Sequence, residues 1–481
     1  MPKKFYITTA IPYINAAPHI GHAMEFVQTD MIARWHAGKG EDVRFLSGTD
    51  DNSLKNVLSA EKEKMPVRKY VDKQAAVFEK LTEALGLSNT DFIRTVEKRH
   101  VDGAVKLWKA CEKDIYKKAY VGEYCVGCEE FKREADLVDG CCPEHPNAPL
   151  QQIEEENYFF ALSKYQDQLE KLIESDEYKI TPTARKNEVL AFIRGGLEDF
   201  SVSRSTERAR GWGISVPGDD SQVIYVWFDA LANYLTATGY AENSHDYKHY
   251  WPADLHVIGK GIIKFHAIYW PAMLLSAGEA VPKGLFAHGY ITVEGKKMSK
   301  SVGNVLDPMD LITKYGLDPF RYGIIRNIPT WQDGDFSIKR FEETYNSDLA
   351  NGVGNLVNRV ATMVERYLGG VVPQGQVLDG ISLLDFDERM NNLEISEAAA
   401  LIPEQLKIVD QYIEETKPWE LAKFDMDKLG EVLGNMVASI LVVNQMLMPI
   451  IPETASKISA TLGGKKLGKV EPLFPRLDIS K

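Results

Sequence analysis

No stretch of this chain reads as an unbroken apolar run of the length that spans a bilayer. The first residues, Met1-Pro2-Lys3-Lys4-Phe5, run into a strand-like segment with no apolar leader ahead of it. A membrane or secreted protein is therefore not expected, and the reading is a cytoplasmic one. Positive charge is also short: 56 Lys and Arg against 69 Asp and Glu leave a net charge of −13. That balance argues against indiscriminate attachment to nucleic acid, while leaving room for a local basic face. Internal repeats and low-complexity tracts are missing, which excludes solenoid and tract-like architectures. Cysteine is scarce and uneven, with four of the five lying between Cys125 and Cys142. In a cytosolic chain such clustering points to a metal rather than to disulfides.

What is present is the 44% hydrophobic and 26% charged balance of a globular protein, over 481 residues, too many for one simple core. Lys4 to Ala10 reads as a strand. Pro12, Asn15 and Pro18 then mark a loop before a helical run from about His19 to Trp35. A second strand fits Asp42 to Ser47, ahead of Gly48-Thr49-Asp50-Asp51, and helical patterns continue to roughly Lys118. From Ala119 to Pro149 the Cys-, Gly- and Pro-rich texture reads as an inserted knuckle. Strand–helix alternation returns at Val223-Ile224-Tyr225-Val226-Trp227 and at Leu255-His256-Val257-Ile258-Gly259. From about Phe341 to Leu462 the pattern is helical, with Leu349, Val353, Leu356, Val360, Met363 and Tyr367 on one apolar stripe. The tail beyond Gly463 reads as loosely packed. The expected fold class is α/β: a doubly wound parallel, Rossmann-type domain with a zinc-knuckle insertion, then an all-α helical bundle.

Three constellations carry chemistry. His19-Ile20-Gly21-His22 opens a helix, where free N–H groups and the positive dipole end favour phosphate, and Gly21 permits close backbone approach. Alone it is a surface loop with two histidines. Lys297-Met298-Ser299-Lys300-Ser301, flanked by Gly295 and Gly303, offers two lysines three apart for a polyphosphate; alone it is a solvated basic loop. Cys125 and Cys128 form a CxxC, and Cys142 and His145 complete a ligand set suited to tetrahedral zinc in a closed, structural site. Cys141 is the alternative to Cys142, and free thiols are the bland reading.

Together the His and Lys motifs resemble the signature pair of the class I aminoacyl-tRNA synthetases. Five further segments resemble the methionyl-tRNA synthetase family: Ala10-Ile11-Pro12-Tyr13, Gly48-Thr49-Asp50-Asp51, Tyr225-Val226-Trp227-Phe228-Asp229-Ala230, Phe265-His266 and Phe286-Ala287-His288-Gly289-Tyr290. The resemblance implies ATP-dependent activation of L-methionine and its transfer to tRNA(Met), for protein synthesis and its initiation. It assigns His19, His22, Lys297 and Lys300 to catalysis. Glu25, Gly259 and Ser299 join them as ATP contacts, with Mg²⁺ accompanying the nucleotide. It assigns methionine to Ile11, Tyr13, Asp51, Trp227, Leu231, Tyr234, Ile262 and His266, with Asp51 holding the ammonium. Helix capping suits Asp50 better than Asp51. Many family members carry an acidic residue where this chain has Gly261, so no carboxylate contact is expected there. Asn355 and Arg359, i and i+4 on one helix, and Trp419, after the helix-interrupting Pro418, match anticodon-reading positions.

The implied layout runs 1–118 and 223–290 for the two catalytic halves, and 119–222 for the insertion, with the knuckle at about 120–150. Residues 291–340 carry the lysine loop and a stem-contact region, and 341–481 the anticodon-binding helices. The short end after Leu473-Phe474-Pro475-Arg476 points to a monomer. Competing readings are a nucleotidyltransferase that uses the same motifs without tRNA, and a non-catalytic tRNA-binding descendant.

Overall fold

The computed structural model describes residues 2–132, 134, 137–146, 148–297 and 305–479, with the main chain alone for Lys297. The chain divides into two compact units. One comprises Met1–Pro18, Asp42–Thr82 and Asn89–Ala287; the other comprises His19–Glu41, Glu83–Ser88 and His288–Lys481.

The first unit is built on a six-stranded sheet. Its order is Asp91–Arg94, Asp42–Thr49, Lys4–Thr8, Leu255–Gly259, Gly284–His288 and Lys179–Thr181. Lys4–Thr8 pairs in parallel with both neighbours, Ile7 opposite Phe45 on one side and Leu255 on the other. Tyr6, Ile7, Phe45, Leu46, Val257 and Ile258 are buried, the near-continuous apolar runs of a sheet covered on both faces. Lys4–Thr8 and Leu255–Gly259 lie side by side, and the next strands in the chain diverge to opposite edges. Their carboxyl ends therefore form the switch point where open α/β sheets leave a crevice.

The insertion is a long antiparallel hairpin, Ile115–Cys125 against Gln151–Phe160, with the knuckle at its tip. Two local readings change. The helical pattern expected up to Lys118 is broken by a strand at Asp91–Arg94 and gives way to the hairpin at Ile115. Val223–Trp227 is not a strand of the parallel sheet. Asp219–Ile224 pairs antiparallel with Ser203–Ser205, and a short helix, Val226–Leu231, begins after Tyr225. A five-residue apolar run fits a buried strand or a buried helix equally, and here it is divided between them.

The second unit contains the helix Ile20–Gly38 and the carboxyl-terminal helices, the longest being Ile395–Thr416 and Met426–Leu447. The anticipated apolar stripe is buried from Leu349 to Met363. The reading that no stretch could span a bilayer changes at one place: among the described residues the helix Met426–Leu447 is long and apolar enough by length and composition, and most of it is buried in this unit, as the core helix of a bundle is. The tail packs rather than hanging loose. Phe474 is buried, Asn346 bonds both the amide and the carbonyl of Leu477, and Tyr345 Oη donates to the Pro475 carbonyl. Side-chain amides that satisfy a passing backbone leave no periodic signature in sequence.

Candidate active site

At the switch point the strand ends deliver Ile11 and Tyr13 after Thr8, Asp51 after Thr49, and Ile262 and His266 after Gly259. Trp227 and Leu231 come from the helix Val226–Leu231, and Tyr234 from the next turn. The Trp227 indole stacks on Phe265 at 3.8 Å between centroids and 2° between planes. It meets Tyr13 and His266 edge-on, each at 6.2 Å. Leu231 is buried in the surrounding core. Tyr234 Oη donates to His266 Nε2 (2.8 Å), so the ring's proton lies on Nδ1, which donates to the Ile262 carbonyl (3.0 Å). Burial lowers this imidazole to about 4, leaving it neutral at physiological pH. Tyr13 Oη and Trp227 Nε1 are buried with no hydrogen-bond partner among the described residues. The result is an aromatic, uncharged cage suited to a thioether, each sulfur–ring contact contributing about 0.3–1.5 kcal/mol.

Asp51 is fully buried. Its Oδ1 accepts from Arg94 Nη2 (2.6 Å) and Nε (3.1 Å), and its Oδ2 from Thr49 Oγ1 (3.0 Å). Burial raises the carboxyl to about 6 against the opposing pull of Arg94 and Thr49. Asp50 is not the helix cap. That place belongs to Ser53, whose hydroxyl accepts from the Lys55 amide, while Asp50 Oδ1 takes the Asn52 amide two residues on.

In the second unit, His19 is the N-cap of the helix Ile20–Gly38. Its Nδ1 accepts from the Gly21 amide, while His22 Nδ1 accepts from the His19 amide, each at 3.1 Å. The amides of Ile20, His22 and Ala23 are taken by the carbonyls of Leu306, His19 and His19. The expectation of free amides at this helix mouth therefore changes: the first-turn donors are used internally, and the imidazoles remain as the polar groups there. A Cβ on Gly21 would fall 2.9 Å from the His19 ring, so glycine is what allows the cap. Burial lowers both histidines, His22 well below the usual imidazole range. Glu25, one turn on, accepts from His288 Nε2 (2.9 Å).

The knuckle gathers Cys125, Cys128, Cys142 and His145 with their ligand atoms within 4.8 Å of one another. Cys128 Sγ lies 3.5 Å from Cys142 Sγ and 3.3 Å from His145 Nδ1. Tetrahedral zinc with thiolates at about 2.3 Å requires ligand edges of about 3.5–3.8 Å, and the set fits that ion. Cys142 is buried in the cluster and Cys141 is exposed.

The family profile described as tRNA synthetases class I (M) matches residues 5–154 and 146–361. The chain is 42% identical to the methionine–tRNA ligase of Clostridium acetobutylicum, over 100% of this chain and 79% of that protein. It is 43% identical to that of Mesorhizobium japonicum, over 95% and 90%. A solved structure of Mycobacterium tuberculosis methionyl-tRNA synthetase in complex with methionyl-adenylate superposes with a TM-score of 0.93 at 38% identity, covering 98% of this chain and 100% of that one. The chain belongs to the class I tRNA synthetases, in the methionyl family.

In this synthetase Asn355 and Arg359 lie in the helix Asn355–Leu368, Asn355 exposed and Arg359 donating to Glu414 (2.7 Å). The Arg359 guanidinium sits 5.8 Å from the Trp419 ring, so two of the three residues picked for anticodon reading meet directly. Lys417, in the left-handed region at φ 43°, turns the chain into the short helix Pro418–Leu421 that carries Trp419. Ser299 and Lys300 lie outside the described residues, as does the side chain of Lys297. Sequence reasoning missed Arg94, Phe265 as the stacking plate under Trp227, and His288 as the partner of Glu25. The Phe265-His266 pair was visible as a match, but stacking is a three-dimensional fact. No local signal marks Arg94.

Proposed function

We propose that this synthetase activates L-methionine with Mg-ATP and transfers the methionyl group to tRNA(Met), as a cytoplasmic monomer. In the first step the methionine carboxylate attacks the α-phosphorus, the bond to the bridging oxygen breaks, and pyrophosphate leaves. In the second, a hydroxyl of the terminal adenosine attacks the methionyl carbonyl, the bond between the carbonyl carbon and the phosphate oxygen breaks, and AMP leaves with that oxygen, its phosphate taking up the hydroxyl proton. Neither step demands a strong protein base, so positioning and charge stabilisation carry the rate. The observation that supports the substrate is the neutral aromatic cage of Tyr13, Trp227, Phe265 and His266, with the Asp51 carboxylate also at the strand ends to take an ammonium.

His19 and His22 donate to the phosphates, with Glu25, Gly259 and Ser299 as further nucleotide contacts, and Lys297 and Lys300 neutralise departing pyrophosphate. Asn355, Arg359 and Trp419 read unstacked anticodon bases by hydrogen bonding and stacking. Residues 291–340 contact the tRNA stem. Cys125, Cys128, Cys142 and His145 would hold a structural zinc that closes the tip of the insertion. Methionine-dependent ATP–pyrophosphate exchange tests the proposal without tRNA: activity specific to methionine is expected, and silence or indifference to the amino acid overturns it. Lys300→Ala should lower the exchange rate far more than methionine affinity, and equal losses in both would exclude the transition-state role.

A further inference from the structure

We propose that Arg94 is a positioning residue for methionine recognition: its guanidinium fork orients the buried Asp51 carboxylate and keeps it charged for the substrate ammonium. The inference rests on the reading of Asp51 as the ammonium-binding group.

Arg94 closes the strand Asp91–Arg94, and the sheet register sets it opposite Thr49, two residues before Asp51. Nε and Nη2 both reach Asp51 Oδ1, while Nη1 is tethered to Asp72 Oδ1 (2.9 Å) on the helix Val67–Ala84. The guanidinium thus joins two strand ends and a helix, and with two of its donors converging on Oδ1 while Thr49 holds Oδ2, the carboxylate is kept in one rotation. Thr49 Oγ1 and the Thr95 hydroxyl, which accepts the Asp51 amide at 2.9 Å, complete the clamp. With Oδ1 occupied by Arg94 and one donor on Oδ2, the acceptor capacity left for a substrate cation is on Oδ2.

Burial is what opposes the charge on Asp51. The neighbouring Asp50 carboxyl is itself raised, by burial first and then by Asp229 from the helix Val226–Leu231 and Glu129 from the knuckle, so the acidic groups around the site supply no cation for Asp51. Lys55 and Arg204 face Glu129 rather than Asp51, and Glu97 accepts the Arg94 amide. Arg94 is therefore the cation directly on Asp51 among the described residues. Even with it in place, burial holds the carboxyl up to about 6. Without it, the neutral acid would predominate at physiological pH and could not pair with an ammonium.

The test is the KM for methionine and kcat of pyrophosphate exchange with the full chain, from about pH 5 to about pH 9, either side of the carboxylate's range. The unsubstituted enzyme should hold a flat KM above about pH 6 and lose affinity below it. Arg94→Gln should move that rise to higher pH, raising KM about tenfold or more at neutral pH while kcat at saturating methionine changes little, since one unit of displacement is tenfold in the charged fraction. Arg94→Lys should restore part of the shift. An unmoved KM limb in Arg94→Gln, or a fall in kcat alone, overturns the proposal. If Arg94→Gln does not fold, the limb of Arg94→Lys decides: a position identical to the parent's overturns it too. Asp51→Asn separates the two levels. A KM unchanged by that substitution removes the Asp51 reading itself, whereas a raised, pH-flat KM combined with an unmoved Arg94→Gln limb removes Arg94 alone.

Discussion

His19 and His22 cap one helix reciprocally through their Nδ1 atoms, and their rings stack at 4.0 Å. Because each Nδ1 accepts an amide hydrogen, each neutral ring carries its proton on Nε2, the atom pointed away from the helix backbone. Burial, and for His22 the neighbouring imidazole, keeps both below the usual imidazole range. In the proposed reaction the pair serves as two neutral N–H donors, held in place by the helix cap.

The exchange rate at saturating substrates should consequently show no imidazole limb between about pH 6 and about pH 8, the window in which an unperturbed histidine titrates. His22→Ala should lower kcat by about 10²–10³, the range for removing one preorganised donor, with little change in methionine KM. A limb near the ordinary histidine value would mean that the charged form acts instead. Nitrogen NMR of the free enzyme reads the tautomers directly.

Tyr234 and His266 set the polarity of the cage. Tyr234→Phe leaves His266 Nε2 buried without its donor, costing about 1–3 kcal/mol where the unpaired acceptor stays dry. Methionine KM should rise about tenfold to a hundredfold on that basis, with tRNA affinity unaffected. Since His266 stays neutral down to about 4, the parent enzyme should show no KM change from this ring near neutrality. An unchanged KM in Tyr234→Phe would show that the hydroxyl has no part in shaping the pocket.

The cage and the histidine mouth were legible because contiguous segments carry them: Tyr13, Trp227 and His266 each sit inside a matching run. Arg94 was not, since it meets Asp51 across 43 residues and an ion pair leaves no spacing. Capping suits Asp50 better than Asp51 on residue type alone, yet Ser53 stands one position ahead of the helix and takes the cap by place. The Val223–Trp227 run misled for a physical reason. Burial on all sides erases the periodicity that separates strand from helix, so composition alone favours the strand.

Gly127 tests the knuckle without touching a ligand. A Cβ there would lie 2.4 Å from the His145 ring, which must then shift out of the cluster. Gly127→Ala should weaken zinc binding by about 10–100-fold, as for changes to groups that orient ligands, read by metal content after competition with a chelator. Cys128→Ser, which removes a ligand outright, should lose more. Equal metal retention in the parent and Gly127→Ala would place His145 outside the coordination set.

Asp30 and Arg321 form the buried ion pair of the second unit, both side chains fully inaccessible and 2.6 Å apart. Arg321 also donates to the carbonyls of Leu85, Pro449 and Ile450, and Asp30 accepts from Arg34 and Ser88. Burial alone would raise the Asp30 carboxyl, but Arg321 and Arg34 hold it below the usual range. A carboxylate depressed on folding stabilises the native state above its unfolded value near 3.9 and loses that contribution as pH falls through the folded value. Arg321→Met should therefore destabilise by about 3–5 kcal/mol at neutral pH, the cost of stranding a buried charge. The deficit should shrink in acid, where Asp30 takes up a proton and the orphaned carbonyls of Leu85, Pro449 and Ile450 remain the only debt. Urea denaturation of parent and variant across that range measures it. A deficit independent of pH would assign the loss to those carbonyls and to packing, and would leave the ion pair no stabilising part in this unit.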